Sequence, residues 1–548
     1  MLLLAISPAA VFAQSADIVF TNAKVWTVDK SKPRAEAVAV LNGKVLAVGT
    51  SREVEAYASP KTVRVDLEGR LMLPGLIDNH THFMSGGFQL QSVNLRYADN
   101  EQEFKRDIKE RATQYPDRWI TGGDWDHDRW SGGNLPTRGL IDDVTPNTPV
   151  FVNRYDGHMA LANSYALKLA GVTKNTPDPP GGTIVRDPKT GEPSGILKDE
   201  AMSFVYKIIP DASPEEMMDA ARRSLDEARK YGLTGIQDMS SPSDLRVYQK
   251  LRDEGALTTR LYCRLPISQS EHLAASGIMV PFGDEWIRIG SMKAFADGSL
   301  GSSTALFVEP FTSDPSTHGL PSDIVIDGRL EKWALAADKA GLQLSIHAIG
   351  DSANSLMLDL FERILKENPT WDRRFRLEHA QHIQSKDFSR FARLGVIASV
   401  QPYHAIDDGR WAEKRIGHKR CETTYAFRTF LDHNVTLCFG SDWTVAPLNP
   451  LLGIYAAVTR RTLDSANPDG WFPEQKISVE EAVEAYTINN AYAAFEENEK
   501  GSITPGKFAD LVVLSDDILS IDPVKIENAT VHMTVLGGKI IYQSGPHK

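Results

Sequence analysis

Only three cysteines occur in 548 residues, Cys263, Cys421 and Cys438, and they lie far apart. An odd count without Cys-x-x-Cys spacing excludes a zinc finger and a disulfide framework. Cys263 and Cys438 stand in apolar runs and read as small buried hydrophobes rather than reactive thiols. Basic residues are not in excess. Sixty Lys and Arg against 72 Asp and Glu give a formal net charge of −12, which argues against a nucleic-acid-binding surface. No apolar run is long enough to span a bilayer. The one leader-like stretch, residues 2–12, runs into Val11-Phe12-Ala13, a small-residue cleavage pattern, with no Lys or Arg before it. The expectation is a signal peptide over residues 1–13 and a periplasmic or secreted product without a membrane anchor. Repeats and low-complexity tracts are also missing. With 42% hydrophobic and 24% charged residues, the chain reads as an ordinary globular protein of one large domain plus a smaller one.

Both ends of the chain are rich in short strands. Asn42-Gly43 separates two apolar runs and predicts a type I′ hairpin; Gly537-Gly538 does the same near the C-terminus. The expectation is one small β-sandwich domain built from residues 14–74 and 499–548. Between them, strands alternate with helices. Ser213-Pro214-Glu215-Glu216 supplies an N-cap, a proline in the first turn and a capping-box glutamate. Further strand–helix units follow, and a helix over residues 478–498 closes the series. Eight candidate parallel strands predict an α/β fold of the (β/α)8 barrel type over residues 75–498. Roughly 150 residues separate the first strand from the second, where a βα unit needs about 40. Residues 94–207 are therefore expected to form an insertion, at the catalytic face and able to roof a pocket.

Chemistry-bearing residues fall at the predicted strand ends. His80 and His82 close the first strand, and positions i and i+2 on a strand share a face, so two imidazoles converge. Alone this pair is a weak signal. Lys293 closes the fourth strand, His347 the fifth and His379 the sixth, and Asp442 follows Gly440-Ser441 at the eighth. Functional groups of a (β/α)8 barrel sit at the C-terminal strand ends. Buried charges are costly unless paired or metal-bound, so the joint pattern points to a metal centre.

The order Pro74-Gly75-Leu76-Ile77-Asp78-x-His80-x-His82, then Lys293, His347, His379 and Gly440-Ser441-Asp442, resembles the amidohydrolase superfamily. Residues 156–164, 293–302, 347–351 and Gln401-Pro402 resemble its family 3 branch, which includes N-substituted formamide deformylase. The stretch 506–514 fits the superfamily's small β-sandwich. The resemblance implies that His80 and His82 hold one metal, that His347 and His379 hold a second, and that a carboxylated Lys293 bridges them. The expected cofactor is thus two divalent ions, zinc foremost. A plain lysine in a one-metal site is the alternative. Asp442 would bind metal and carry the water's proton. His382 competes with His379 for the ligand role, although His379 ends the apolar strand and follows Glu378, as in the family. Trp125, Asp156, His158, Asp297, Gln401 and Tyr403 form a second tier of substrate-binding candidates, His158 by resemblance. His127, between Asp126 and Asp128, reads as a solvated loop, and His272, His318, His404, His418, His433, His532 and His547 have no companions.

The expected function is hydrolysis of a C–N bond in a small amide, N-acyl or N-formyl substrate or cyclic ureide. An ester or lactone is the alternative bond. A non-catalytic exported binding protein on the same scaffold would be expected to have lost one of these ligands, and none is missing. A small-molecule substrate is the expected partner, with a homodimer as a possible assembly.

Overall fold

Eight strands run in parallel and in chain order around one sheet: β1 (Leu76–Thr81), β2 (Leu233–Met239), β3 (Arg260–Pro266), β4 (Ile287–Phe295), β5 (Leu344–Ala348), β6 (Arg376–His379), β7 (Ile397–Val400) and β8 (Leu437–Phe439). The computed structural model describes residues 15–545 except 117, 128–129, 131–133, 155–158, 180–181 and 302. The leader expected over residues 1–13 and the candidates Asp156 and His158 lie outside the described residues. The barrel strands β1, β5, β6, β7 and β8 are buried along their whole length, as expected for parallel strands covered on both faces. Helices Pro242–Asp253, Arg329–Lys339, Asp351–Glu367, Phe388–Leu394 and Phe427–Asp432 connect successive strands.

The barrel is nearly closed. Among the described residues the chain just beyond β8 meets β1 through one parallel bridge, Thr81↔Trp443, and side chains complete the seam. The Asp78 carboxylate accepts from the backbone N–H of His80 and of Ser441, both at 3.0 Å. Asn490 donates to the carbonyls of Ile77 (2.6 Å) and Phe439 (2.8 Å). This role corrects the expected continuous helix over residues 478–498. Two short helices form instead, Val479–Ala485 and Ile488–Ala493. They break at Thr487, whose backbone (φ −130°, ψ −93°) leaves the helical region. Asn489 reaches the Leu437 carbonyl at 3.0 Å, so the segment follows the barrel rather than its own helical ladder.

The first predicted strand divides at Gly75. Leu71–Pro74 joins a six-stranded sheet, in the order Lys539–Gln543, Val531–Leu536, Leu511–Leu514, Leu71–Pro74, Lys24–Trp26 and Arg34–Ala35, that mixes both chain ends. A four-stranded sheet of Ile18–Thr21, Ala37–Leu41, Lys44–Gly49 and Val63–Asp66 accompanies it. Phe20, Val38, Met72, Leu511 and Val535 share one apolar core. Both hairpins turn as expected, with positive φ at Asn42, Gly43, Gly537 and Gly538. Ser213 and Glu216 form the reciprocal capping bonds ahead of helix Pro214–Lys230.

Met84–Arg223 forms a compact unit of its own. Its six-stranded sheet runs Gly182–Arg186, Pro193–Asp199, Met159–Ala162, Phe151–Arg154, Gly122–Trp125 and Val93–Asn94. Helix Glu101–Gln114, capped by Asn100, adds Phe104 and Ile108 to the unit's core.

Candidate metal centre

The ends of β1 and β8 are built against each other by backbone contacts. Asp442 N–H donates to the His80 carbonyl, and His82 N–H to the Trp443 carbonyl, both at 2.7 Å. Gly440 permits this approach, because a Cβ there would lie 2.6 Å from the His80 nitrogen and 2.8 Å from an Asp78 oxygen. Ser441 Oγ accepts from Trp443 N–H at 3.0 Å and stiffens the turn. The result places Asp442 Oδ1 at 3.5 Å from His80 Nε2 and 3.3 Å from His82 Nε2. Asp442 has φ +57°, His379 +70° and Ala380 +40°. A left-handed backbone at non-glycine residues is worth about 1–3 kcal/mol of strain each, and here it sits at the strand ends that carry the cluster.

His80, His379 and His347 are oriented from behind. His80 Nδ1–H donates to Glu378 Oε2 at 2.5 Å, which leaves Nε2 with its lone pair. Glu378 also accepts from Ser345 (2.7 Å) and Ser399 (2.6 Å) and pairs with Arg264 (2.8 Å) and Arg376 (3.0 Å). Burial would raise the Glu378 carboxyl, but the two guanidinium groups outweigh it and hold it well below the usual range. His379 Nδ1–H donates to Gln401 Oε1 at 2.7 Å, so its Nε2 is the free donor atom. His347 Nε2–H donates to the Gly298 carbonyl at 3.0 Å, leaving Nδ1. The His379 ring lies 4.9 Å from that of His80 and 4.5 Å from that of His347.

Burial, reinforced by Lys293, lowers His80 to about 3 and His347 to about 4; burial with the neighbouring His347 and His80 lowers His379 too. Neutral imidazoles are the metal-binding form. Burial would raise Asp442, but His80, the hydrogen bond from His82 and His379 together bring it below the ordinary carboxylate range. Burial lowers Lys293 to about 7, against the pull of Glu378.

These residues fit a cation. His80, His82 and Asp442 present donor atoms within 4.8 Å of one another, and so do His379, His404 and Asp442. Separations of 3.3 and 3.5 Å match the edge of a tetrahedron with centre-to-ligand distances of about 2.0–2.2 Å, the zinc–nitrogen and zinc–oxygen range.

The sequence model of the amidohydrolase family matches residues 64–542. The chain belongs to the amidohydrolase family. This amidohydrolase is 40% identical to Protein LONG AFTER FAR-RED 3 of Arabidopsis thaliana over 96% of the chain and 92% of the relative. It is 28% identical to N-substituted formamide deformylase of Arthrobacter pascens over 97% and 99%. Among solved structures it resembles an uncharacterized metal-dependent hydrolase of Pyrococcus furiosus, with 27% identity, a TM-score of 0.76, and coverage of 93% of this chain and 100% of that one.

His382 stands outside the cluster: its Nδ1–H donates to Thr424 Oγ1 at 2.7 Å, and its Nε2 accepts from Gln381 Nε2 at 3.0 Å. Gln401 is buried and orients His379. Asp297 accepts backbone N–H bonds from Leu306 (2.8 Å), Ile349 (3.0 Å) and Gly350 (2.8 Å), tying together the loops after β4 and β5; burial first of all raises its pKa to about 7. Tyr403 is partly buried in the first turn of helix Pro402–Asp408. Trp125 corrects the expectation of a substrate-facing side chain. It is wholly buried in the core of the Met84–Arg223 unit, its indole N–H bonded to the Val152 carbonyl at 2.8 Å and its ring edge-on to Phe104. Three residues at the site escape the sequence reading: Asp78 and Glu378, which hold donors in place, and His404, which brings another imidazole.

Proposed function

We propose that this metal-dependent amidohydrolase cleaves the C–N bond of a small N-formyl or N-acyl amine, adding one water across the bond to give one carboxylic acid and one free amine, with two divalent ions, zinc foremost. His80 and His82 would hold one ion, His347 and His379 the other, with Lys293 between them and Asp442 on the shared side. Bound cations supply an acidified water and polarisation of the scissile carbonyl. The chain's own residues do the remaining work. Asp442 takes the proton of the attacking water and returns it to the leaving nitrogen, a transfer that general acid–base catalysis makes worth about 10²–10⁴-fold. Glu378 and Gln401 fix the ring orientations of His80 and His379, so the donor atoms need no rearrangement.

Lys293 at about 7 supports the carbamate. The neutral amine adds carbon dioxide and loses a proton, forming an anionic carbamate, whereas an ammonium cannot ligate a cation. The likeness to N-substituted formamide deformylase supports an N-formyl or N-acyl substrate.

The observation that carries the reading is the Asp442 carboxylate held between two imidazole nitrogens at 3.3 and 3.5 Å. Asp442→Asn should keep the fold and substrate binding while kcat falls by about 10²–10⁴-fold, since the amide cannot accept the proton. Steady-state kinetics on a panel of N-formyl and N-acyl amines checks this. Near-normal kcat in the variant would defeat the proposed proton transfer.

A further inference from the structure

The Met84–Arg223 unit carries a cavity of about 410 Å³ of its own, a size within the range of about 300–1,000 Å³ usual for small-ligand sites. Its walls come from the end of helix Phe83–Gln91, the end of helix Glu101–Gln114 with the turn after it, and the chain entering helix Pro214–Lys230. The Arg111 guanidinium lies over the Tyr115 ring, 3.9 Å from its centre, and Arg118 stands 5.8 Å from the same centre. Tyr115 Oη accepts from Arg223 at 3.1 Å. Three guanidinium groups thus gather on one phenol. Among the described residues neither Arg111 nor Arg223 has a carboxylate within ion-pair reach. Arg118 faces Glu216 at 3.6 Å, but that carboxylate already accepts from the Ser213 N–H at 2.9 Å. Burial lowers the Arg111 pKa, and the neighbouring Arg223 and Arg118 act in the same direction. Like charges in a half-buried cleft repel, and an anion between them relieves the repulsion.

Gln91 is a second, independent pointer. It lines the same cavity, is only 9% exposed, and its Nε2 has no hydrogen-bond partner among the described residues. A buried donor left unpaired is costly, and an acceptor from outside the protein would satisfy it. Trp119 and Phe88 give the wall aromatic surface. We propose that this cavity binds a small organic carboxylate with an apolar body, its charge on Arg111 and Gln91 with Arg118 alongside, and its body against Trp119 and Phe88. A guanidinium presents a planar fork that matches a carboxylate, and stacking on Tyr115 fixes the plane of that fork. Asp211 and Glu216 also line the cavity and weigh against a doubly charged phosphate. None of these residues is a donor of the metal centre, so the inference stands apart from the hydrolase reading.

Phenylacetate titrated into the full-length protein, followed by calorimetry and tryptophan fluorescence, tests this. Wild type should bind it with a fluorescence change that Trp119→Phe removes while the heat of binding remains. Arg111→Gln and Gln91→Glu should each weaken binding by at least about tenfold, the scale of a hydrogen bond to a charged group. Arg118→Gln, at an exposed position, should weaken it by a smaller factor at an unchanged unfolding temperature, which keeps the test open if a buried substitution unfolds the unit. Equal affinity in wild type, Arg118→Gln and Gln91→Glu would place the acid elsewhere and overturn the proposal, as would no binding at millimolar phenylacetate. Inorganic phosphate displacing phenylacetate with equal affinity would overturn the assignment to an organic carboxylate.

Discussion

At the scale of the residue, Glu378 carries more of the site than any candidate read from the sequence. Its carboxylate meets His80, two serines and two arginines, all within the barrel interior. Glu378→Gln would leave Arg264 and Arg376 without a counter-charge and release the His80 tautomer. Breaking a buried pair by removing one partner typically costs about 3–5 kcal/mol. The expected outcome is a lower unfolding temperature together with a loss of metal affinity of roughly 10–100-fold, the cost of removing a ligand's hydrogen-bond partner. Calorimetry with metal titration checks both. A second test concerns His382, which burial, with Arg420 adding, lowers to about 3. The unfolded chain binds that proton near about 6.5. The neutral ring therefore contributes stability above that value, and the contribution is lost as pH falls towards about 3. His382→Gln should flatten the acid limb of stability by one proton, about 1.4 kcal/mol per pH unit. Denaturation at stepped pH values would show the change, and an unaltered slope would assign the acid sensitivity to other groups.

At the scale of the element, the strand ends are the legible part. His80, His82, Lys293, His347, His379 and Asp442 can be found because each ends an apolar run, and the alternation of strand and helix points to the barrel. Glu378 enters the sequence reading only as a neighbour of His379, since sequence does not say which carboxylate lies behind which ring. His404 escapes it because it lies on a helix after β7, where distance from the strand end does not fix direction. Trp125, a second-tier candidate in the sequence, ends the strand Gly122–Trp125, too short and too glycine-rich to show alternation. The helix expected over 478–498 follows a fair apolar pattern, but Asn489 and Asn490 serve strand carbonyls instead. Asn490→Ala should expose what that exchange contributes. Two carbonyls at the β8–β1 seam would lose their donor, at about 1–3 kcal/mol for buried groups left unpaired. The unfolding temperature should fall while metal stoichiometry holds. Loss of metal with unchanged stability would contradict a purely structural seam role.

At the scale of the whole molecule, the barrel carries the donors, both chain ends assemble a sandwich, and the insertion packs as a unit of its own. Nothing in the fold alone sets the reaction. Under the proposed function the donor cluster would, through neutral imidazoles, a carboxylate kept ionised and a lysine that burial shifts towards its neutral form. As proposed above, these donors would make the enzyme a metal-dependent hydrolase of C–N bonds. The most direct measurement is release of free amine from N-formyl and N-acyl amines by chelator-stripped protein, before and after reconstitution with Zn²⁺. The expected result is no release from the stripped protein and recovery on adding the metal, with one amine freed per carboxylate formed. Equal amine release with and without metal would contradict it.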